Sequence, residues 1–139
     1  MFNLGLGWGM TDDSMDREST ASAILDAAEP LFAAQGFAAT TIKQIGAAAG
    51  VNPALLYYYF GSKEELYRPL LGRMFGTLAD RGAERLAAVS SPEEAIRALL
   101  ALQSETMLQR PSMPRILARE MADHGAAHAQ EAIAHLSAT

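Results

Sequence analysis

TTIKQIGAAAGVNPALLYYYFGSKEEL, Thr40 to Leu66, decides the fold. Thr41 is followed three residues later by Gln44, a capping box that starts a helix, and Ile42, Ile45 and Ala49 form its inner face. Gly50 stops that helix. Asn52 then suits an N-cap and Pro53 the first helical position, so another helix begins almost at once, with Leu56 and Phe60 one turn apart on its inward side. Gly61 ends it, and Ser62 with Glu65 forms a second capping box that opens the next helix. Two short helices around a tight turn at Gly50-Val51-Asn52 are a helix-turn-helix pattern. Gly50 is suited to a left-handed backbone and Val51 to plugging the angle between the helices. Such a turn holds the second helix away from the body of the domain, so its start and outer face can enter a major groove.

Working outward, Ile24, Leu25, Ala28, Leu31 and Phe32 share a face, which predicts a first helix from Thr20 to Gln35, kinked at Pro30 and ended by Gly36. On the other side, Leu66, Leu70, Met74 and Leu78 mark a fourth helix, with Pro69, Gly72, Gly76 and Gly82 predicting a bend or break. Ser91, Pro92 and Glu94 start a helix that runs to Gln109, Arg110-Pro111 breaks it, and a further helix covers Pro114 to Asp123. Gly125 interrupts again, and a short last segment runs from Ala126. Strong helix formers dominate and β-branched residues are sparse, so the expected class is all-α. The expected division is a disordered extension over 1–19, a helix-turn-helix domain over 20–67, and further helices over 68–139, which the resemblance given below makes a truncated regulatory domain.

Composition bounds what such a chain can do. The 139 residues are 50% hydrophobic and 19% charged, ordinary for a soluble globular protein. The absence of Cys excludes disulfides, thiolate zinc sites and a cysteine nucleophile. No apolar run approaches the roughly 18 to 20 residues that span a bilayer, so no membrane partner is expected. The opening MFNLGLGWGM has no basic residue ahead of it and makes a poor signal peptide, and Met10 and Met15 offer later start sites. The cytoplasm is the default location. The net charge of −5 argues against nucleic acid, since phosphate contacts come from Lys and Arg. Between Thr20 and Tyr67 only Lys43 and Lys63 are basic, against Asp26, Glu29, Glu64 and Glu65, so binding should be weak per half-site.

The local pattern outweighs that balance. Thr40-Thr41, Ile45, Ala49-Gly50-Val51, Leu56-Tyr57 with Phe60, and Ser62-Lys63 with Leu66 closely resemble the DNA-binding segment of TetR-family transcriptional regulators, over roughly Thr20 to Arg68. The resemblance implies a three-helix DNA-binding domain followed by part of a helical ligand-binding and dimerisation domain. By the same resemblance Thr41 is a phosphate contact, Lys43 reaches a phosphate or base edge, and Asn52, Pro53, Ala54 and Leu55 open the recognition helix towards the bases. Tyr57, Tyr58 and Tyr59 match positions that touch phosphates and bases, and Lys63 the family's phosphate-binding lysine. Tyr57 should be partly packed; Tyr58 and Tyr59 are the expected exposed rings. With Pro53, Ala54 and Leu55 at the helix start, readout would be mostly apolar, towards thymine methyl groups.

The implied function is a ligand-responsive repressor that binds a pseudo-palindromic double-stranded operator as a homodimer, with recognition helices about 34 Å apart and a small-molecule effector. The alternative is a truncated, non-catalytic interaction protein of the same fold that pairs with full-length relatives. No enzyme is expected, because no nucleophile–base–orienter set and no phosphate loop are present. Glu120, His124, His128, Glu131 and His135 recur at helical spacing, but Gly125 breaks the face, so no metal or other cofactor is expected. Met107, Met113 and Met121 are read as core filling.

Overall fold

The computed structural model describes residues 2–138, with side chains from Asp16 onward. Its regular structure is helical: α1 (Phe2–Gln35), α2 (Ile42–Ala49), α3 (Pro53–Phe60), α4 (Lys63–Ala87), α5 (Pro92–Gln109), α6 (Ser112–His124) and α7 (Ala127–Ser137). The helix starts follow the caps. Thr41 accepts from the Gln44 N–H at 3.1 Å while the Thr41 N–H donates to the Gln44 side chain at 3.0 Å. Asn52, Ser62 and Ser91 each accept from the N–H three residues on.

Three expectations change. The first helix begins at Phe2, not near Thr20, so residues 2–19, expected to form a disordered extension, belong to it. Asp16 to Thr20 contains neither Pro nor Gly, and nothing in that stretch stops an upstream helical turn from propagating. Helix α4 runs 25 residues through Pro69 without interruption, because Leu66, Tyr67, Leu70, Leu71 and Met74 bury one continuous stripe on both sides of the proline. Of the three methionines, only Met113 is in the core; Met107 and Met121 are 48% and 62% exposed. They sit on helix faces that the remaining helices do not cover.

One core joins every described helix except α5. Ile24, Ala28 and Phe32 of α1, Ile45 of α2 and Leu56 of α3 pack with the α4 stripe, and Met113 and Ile116 of α6 and Ala132 of α7 enter the same cluster. The expected boundary after Tyr67 therefore falls inside α4, which walls both the helix-turn-helix and the later helices. Side-chain ties fasten α6 to the far end of α1. Arg119 donates to the carbonyls of Ala33 and Ala34 at 3.0 and 2.6 Å, a cation capping a helix C-terminus. Glu29 accepts from Arg110 at 2.7 Å and from Ser112 at 3.0 Å.

The turn between α2 and α3 depends on a close approach. Gly50 is left-handed at φ 74°, and Val51 donates to the Gly46 carbonyl at 2.9 Å. A Cβ on Gly46 would lie 2.8 Å from the Val51 carbonyl oxygen, a backbone atom that cannot swing aside. In a free helix Gly46→Ala would stabilise by about 1 kcal/mol. Here we expect the opposite sign, a loss of about 1–3 kcal/mol from overpacking, measured by urea unfolding. A more stable variant would mean that the two helices do not meet so closely.

Candidate nucleic-acid interface

Helix α3 is fixed from behind and open in front. Leu56 is buried, and Tyr59 and Phe60 pack on the core beside it. Asn52, Pro53 and Ala54 are exposed, Leu55 is half-buried, and Tyr57 and Tyr58 are 53% and 67% exposed. The ring that packs is therefore Tyr59, and the exposed pair is Tyr57 with Tyr58, which corrects the expectation. With Leu56 and Phe60 inward, 100° steps put position 58 opposite and positions 57 and 59 on the two flanks at equal angles, and the core covers the flank that carries Tyr59. Asn52 uses its side-chain oxygen to cap Leu55 N–H at 2.9 Å, which leaves its amide N–H groups facing outward as donors.

Thr41, Lys43, Tyr57 and Lys63 line one surface recess, together with Ser62 and Glu64. The Thr41 oxygen accepts as a cap, and its hydroxyl proton remains available to an anion at the start of α2. Lys43 is exposed. Lys63 has a second duty: its Nζ donates to the Phe37 carbonyl at 2.8 Å and to the Ala38 carbonyl at 3.4 Å, and it stands 4.3 Å from the centre of the Phe37 ring. It thus ties α4 to the loop after α1, a role that sequence spacing did not suggest. Arg17 was missed altogether. Its guanidinium lies 5.3 Å from the Tyr58 ring, bringing a further cation to α3, and no signal marked it because it falls in the stretch read as an extension.

Behind the recess lies a polar cluster. The Glu120 carboxylate, 1% exposed, accepts from Tyr67 at 3.3 Å and from the N–H groups of His128 and Ala129 at 2.7 and 3.4 Å. Burial opposes its ionisation, but the hydrogen bonds from His128 and Ala129 outweigh burial and hold the carboxyl below the usual range. Burial, with the Glu120 charge beside it, pushes the Tyr67 phenol well above its usual value. Farther along, α4, α5 and α6 flank an apolar pocket of about 580 Å³ that opens to solvent, lined by residues such as Leu78, Leu86, Leu102, Met107, Met113 and Leu117.

Residues 24–70 match the profile of "Bacterial regulatory proteins, tetR family". The HTH-type transcriptional repressor NicS of Pseudomonas putida is 33% identical over 117 residues, 84% of this chain and 54% of that protein. Residues 24–70 form a tetR-family domain. The HTH-type transcriptional regulator BetI of Rhizobium meliloti is 38% identical over 78 residues, 56% of this chain and 38% of BetI. Among solved structures, the fatty acid degradation regulator FadR from Bacillus halodurans superposes with a TM-score of 0.71 at 22% identity, over 81% of this chain and 59% of FadR. That likeness shows the all-α tetR fold. The chain spans about half the length of NicS.

The geometry separates the two lysines of this tetR-type domain. Lys63→Met removes a charged donor from two backbone carbonyls and is expected to lower stability by about 1–2 kcal/mol. Lys43→Ala, on an exposed site, should stay within about 0.5 kcal/mol of the native chain. Thermal unfolding of both variants checks this, and equal stabilities would remove Lys63 from its structural role.

Proposed function

We propose that this chain is a DNA-binding transcriptional repressor that acts as a homodimer on a pseudo-palindromic operator in the cytoplasm and has no catalytic role. The observation that carries the reading is the presentation of α3: its inner face is locked while Asn52, Pro53, Ala54, Tyr57 and Tyr58 stand outward. Thr41, Lys43 and Lys63 flank it as phosphate contacts, Leu55 and Tyr59 back it from its partly buried side, and Arg17 supplements them. The few cations make a lone half-site weak, and a second copy supplies the missing affinity. Among the described residues no helix is long and apolar enough to cross a membrane.

The apolar cavity between α4, α5 and α6 suits a small apolar effector, since about 580 Å³ falls in the range of ligand pockets. Met113 and Leu117 of its wall belong to α6, the helix that Arg119 fastens to the end of α1. An effector that shifts α6 would thus reach the DNA-binding helices.

Fluorescence anisotropy with the DNA upstream of the chain's own gene tests the reading. Tyr58→Ala is expected to weaken sequence-preferring binding about tenfold or more, and Lys43→Ala to weaken binding to all sequences while reducing the salt slope by about 1. Sizing chromatography should give a dimer on the operator. If low salt yields no sequence preference and neither substitution changes affinity, the proposal fails.

A further inference from the structure

Gly125 (φ 57°) and Ala126 (φ 69°) both adopt the left-handed conformation between α6 and α7. In an unbroken helix, His128 would lie about 12 Å along the axis from Glu120. The left-handed pair instead folds α7 back, so that His128 Nδ1 lies 3.1 Å from Glu120 Oε1. His124, one turn after Glu120, places its Nδ1 3.4 Å from the same oxygen. The break that argued against a shared face is what brings these groups together. Glu131 stays outside and pairs with Arg68 at 3.4 Å.

The two spacings through Glu120 are those of a coordination shell. One ligand atom from each of Glu120, His124 and His128 lies within 4.8 Å of the others. Bonds of about 2.0–2.1 Å in a tetrahedral site give ligand-to-ligand edges of about 3.3–3.4 Å. The edges of 3.1 and 3.4 Å through Glu120 Oε1 match that length. A second observation is independent of this. His124 Nδ1 is closed to solvent and makes no hydrogen bond, although it faces the carboxylate. Buried nitrogens are rarely left so.

The surroundings are preorganised. Phe37 meets the His124 ring edge-on at 5.6 Å and lies 4.7 Å from the His128 ring, and Tyr67 meets His128 edge-on at 5.3 Å. Tyr67 OH and the His128 and Ala129 N–H groups hold the Glu120 carboxylate, as outer-shell donors hold a metal-binding carboxylate.

We propose that Glu120, His124 and His128 form a site for one divalent transition-metal ion of the Zn2+ class, with a fourth position open to water. Imidazole with a single carboxylate selects Zn2+ and its neighbours over Mg2+ or Ca2+. The ion would pin α6 to α7 and, through Phe37 and Tyr67, to α4 and the loop that Lys63 holds. The site stands apart from the DNA reading, since it is measured with metal alone.

The test uses the untagged full chain, stripped with EDTA, dialysed, and titrated with ZnCl2 by calorimetry and with Co2+ by visible absorption. One equivalent per chain, tetrahedral-type Co2+ bands and a raised Tm are expected. His124→Ala removes a ligand that makes no hydrogen bond but also a ring that packs on Phe37, so its metal-free fold is checked by circular dichroism, and Zn2+ binding should weaken at least about tenfold. Glu120→Gln keeps an oxygen for the α7 N–H groups and should weaken binding likewise; if it unfolds, His124→Ala decides. No stoichiometric uptake at micromolar Zn2+, or unchanged affinity in His124→Ala, overturns the proposal. So does a loss seen on His135→Ala in place of His124→Ala.

Discussion

The burial of one carboxylate constrains the later half of this fold. Glu120 is 1% exposed, and an ionised side chain so placed is tolerated only when its oxygens are fully engaged. One oxygen takes the first N–H groups of α7, which has no side-chain cap of its own. The other takes Tyr67 from α4 and faces His128. The direction of α7, the rotamer of Tyr67 and the left-handed Ala126 are consequences of satisfying one group. Removing a partner would leave a buried charge, which is costlier than losing one hydrogen bond.

Tyr67 carries that constraint towards α3. Its ring packs 4.7 Å from Phe32 and 4.8 Å from Phe37, and Phe37 in turn lies under the Lys63 ammonium. The later helices and the loop before α2 therefore share an aromatic joint. The arginines work in the same way: Arg73 reaches Asp26, Arg81 and Arg85 converge on Glu105, and Arg110 meets Glu29. Each exposed pair contributes little by itself, but together they set helix against helix. Most of these cations are spent on internal ties, which is why a chain of net charge −5 has so few near α3.

Much of the helix-turn-helix unit was legible because its signals are local. Thr41, Asn52 and Ser62 cap the helices they precede, and Gly50 turns where a left-handed residue was called for. The misreadings share a different cause. Tyr59 rather than Tyr57 packs, because the two positions flank the Leu56–Phe60 edge at equal angles and only the placement of the neighbouring helices decides which flank is covered. Gly46 gave no sign of its role, since its neighbour across the turn is set by the angle of α3. Arg17 and the start of α1 were lost to a segment whose composition suggested no structure.

Residues 40–66 by themselves determined two short helices, the turn between them and the match of this domain to the tetR profile, since caps, breakers and apolar spacing act within a few residues. Tertiary structure decided the rest. It put Lys63 on the Phe37 carbonyl, set Tyr57 and Tyr58 outward on a braced helix, and folded α7 so that His128 meets Glu120. Those contacts join residues from separate helices, and their distances follow from how the helices pack, which no local spacing encodes.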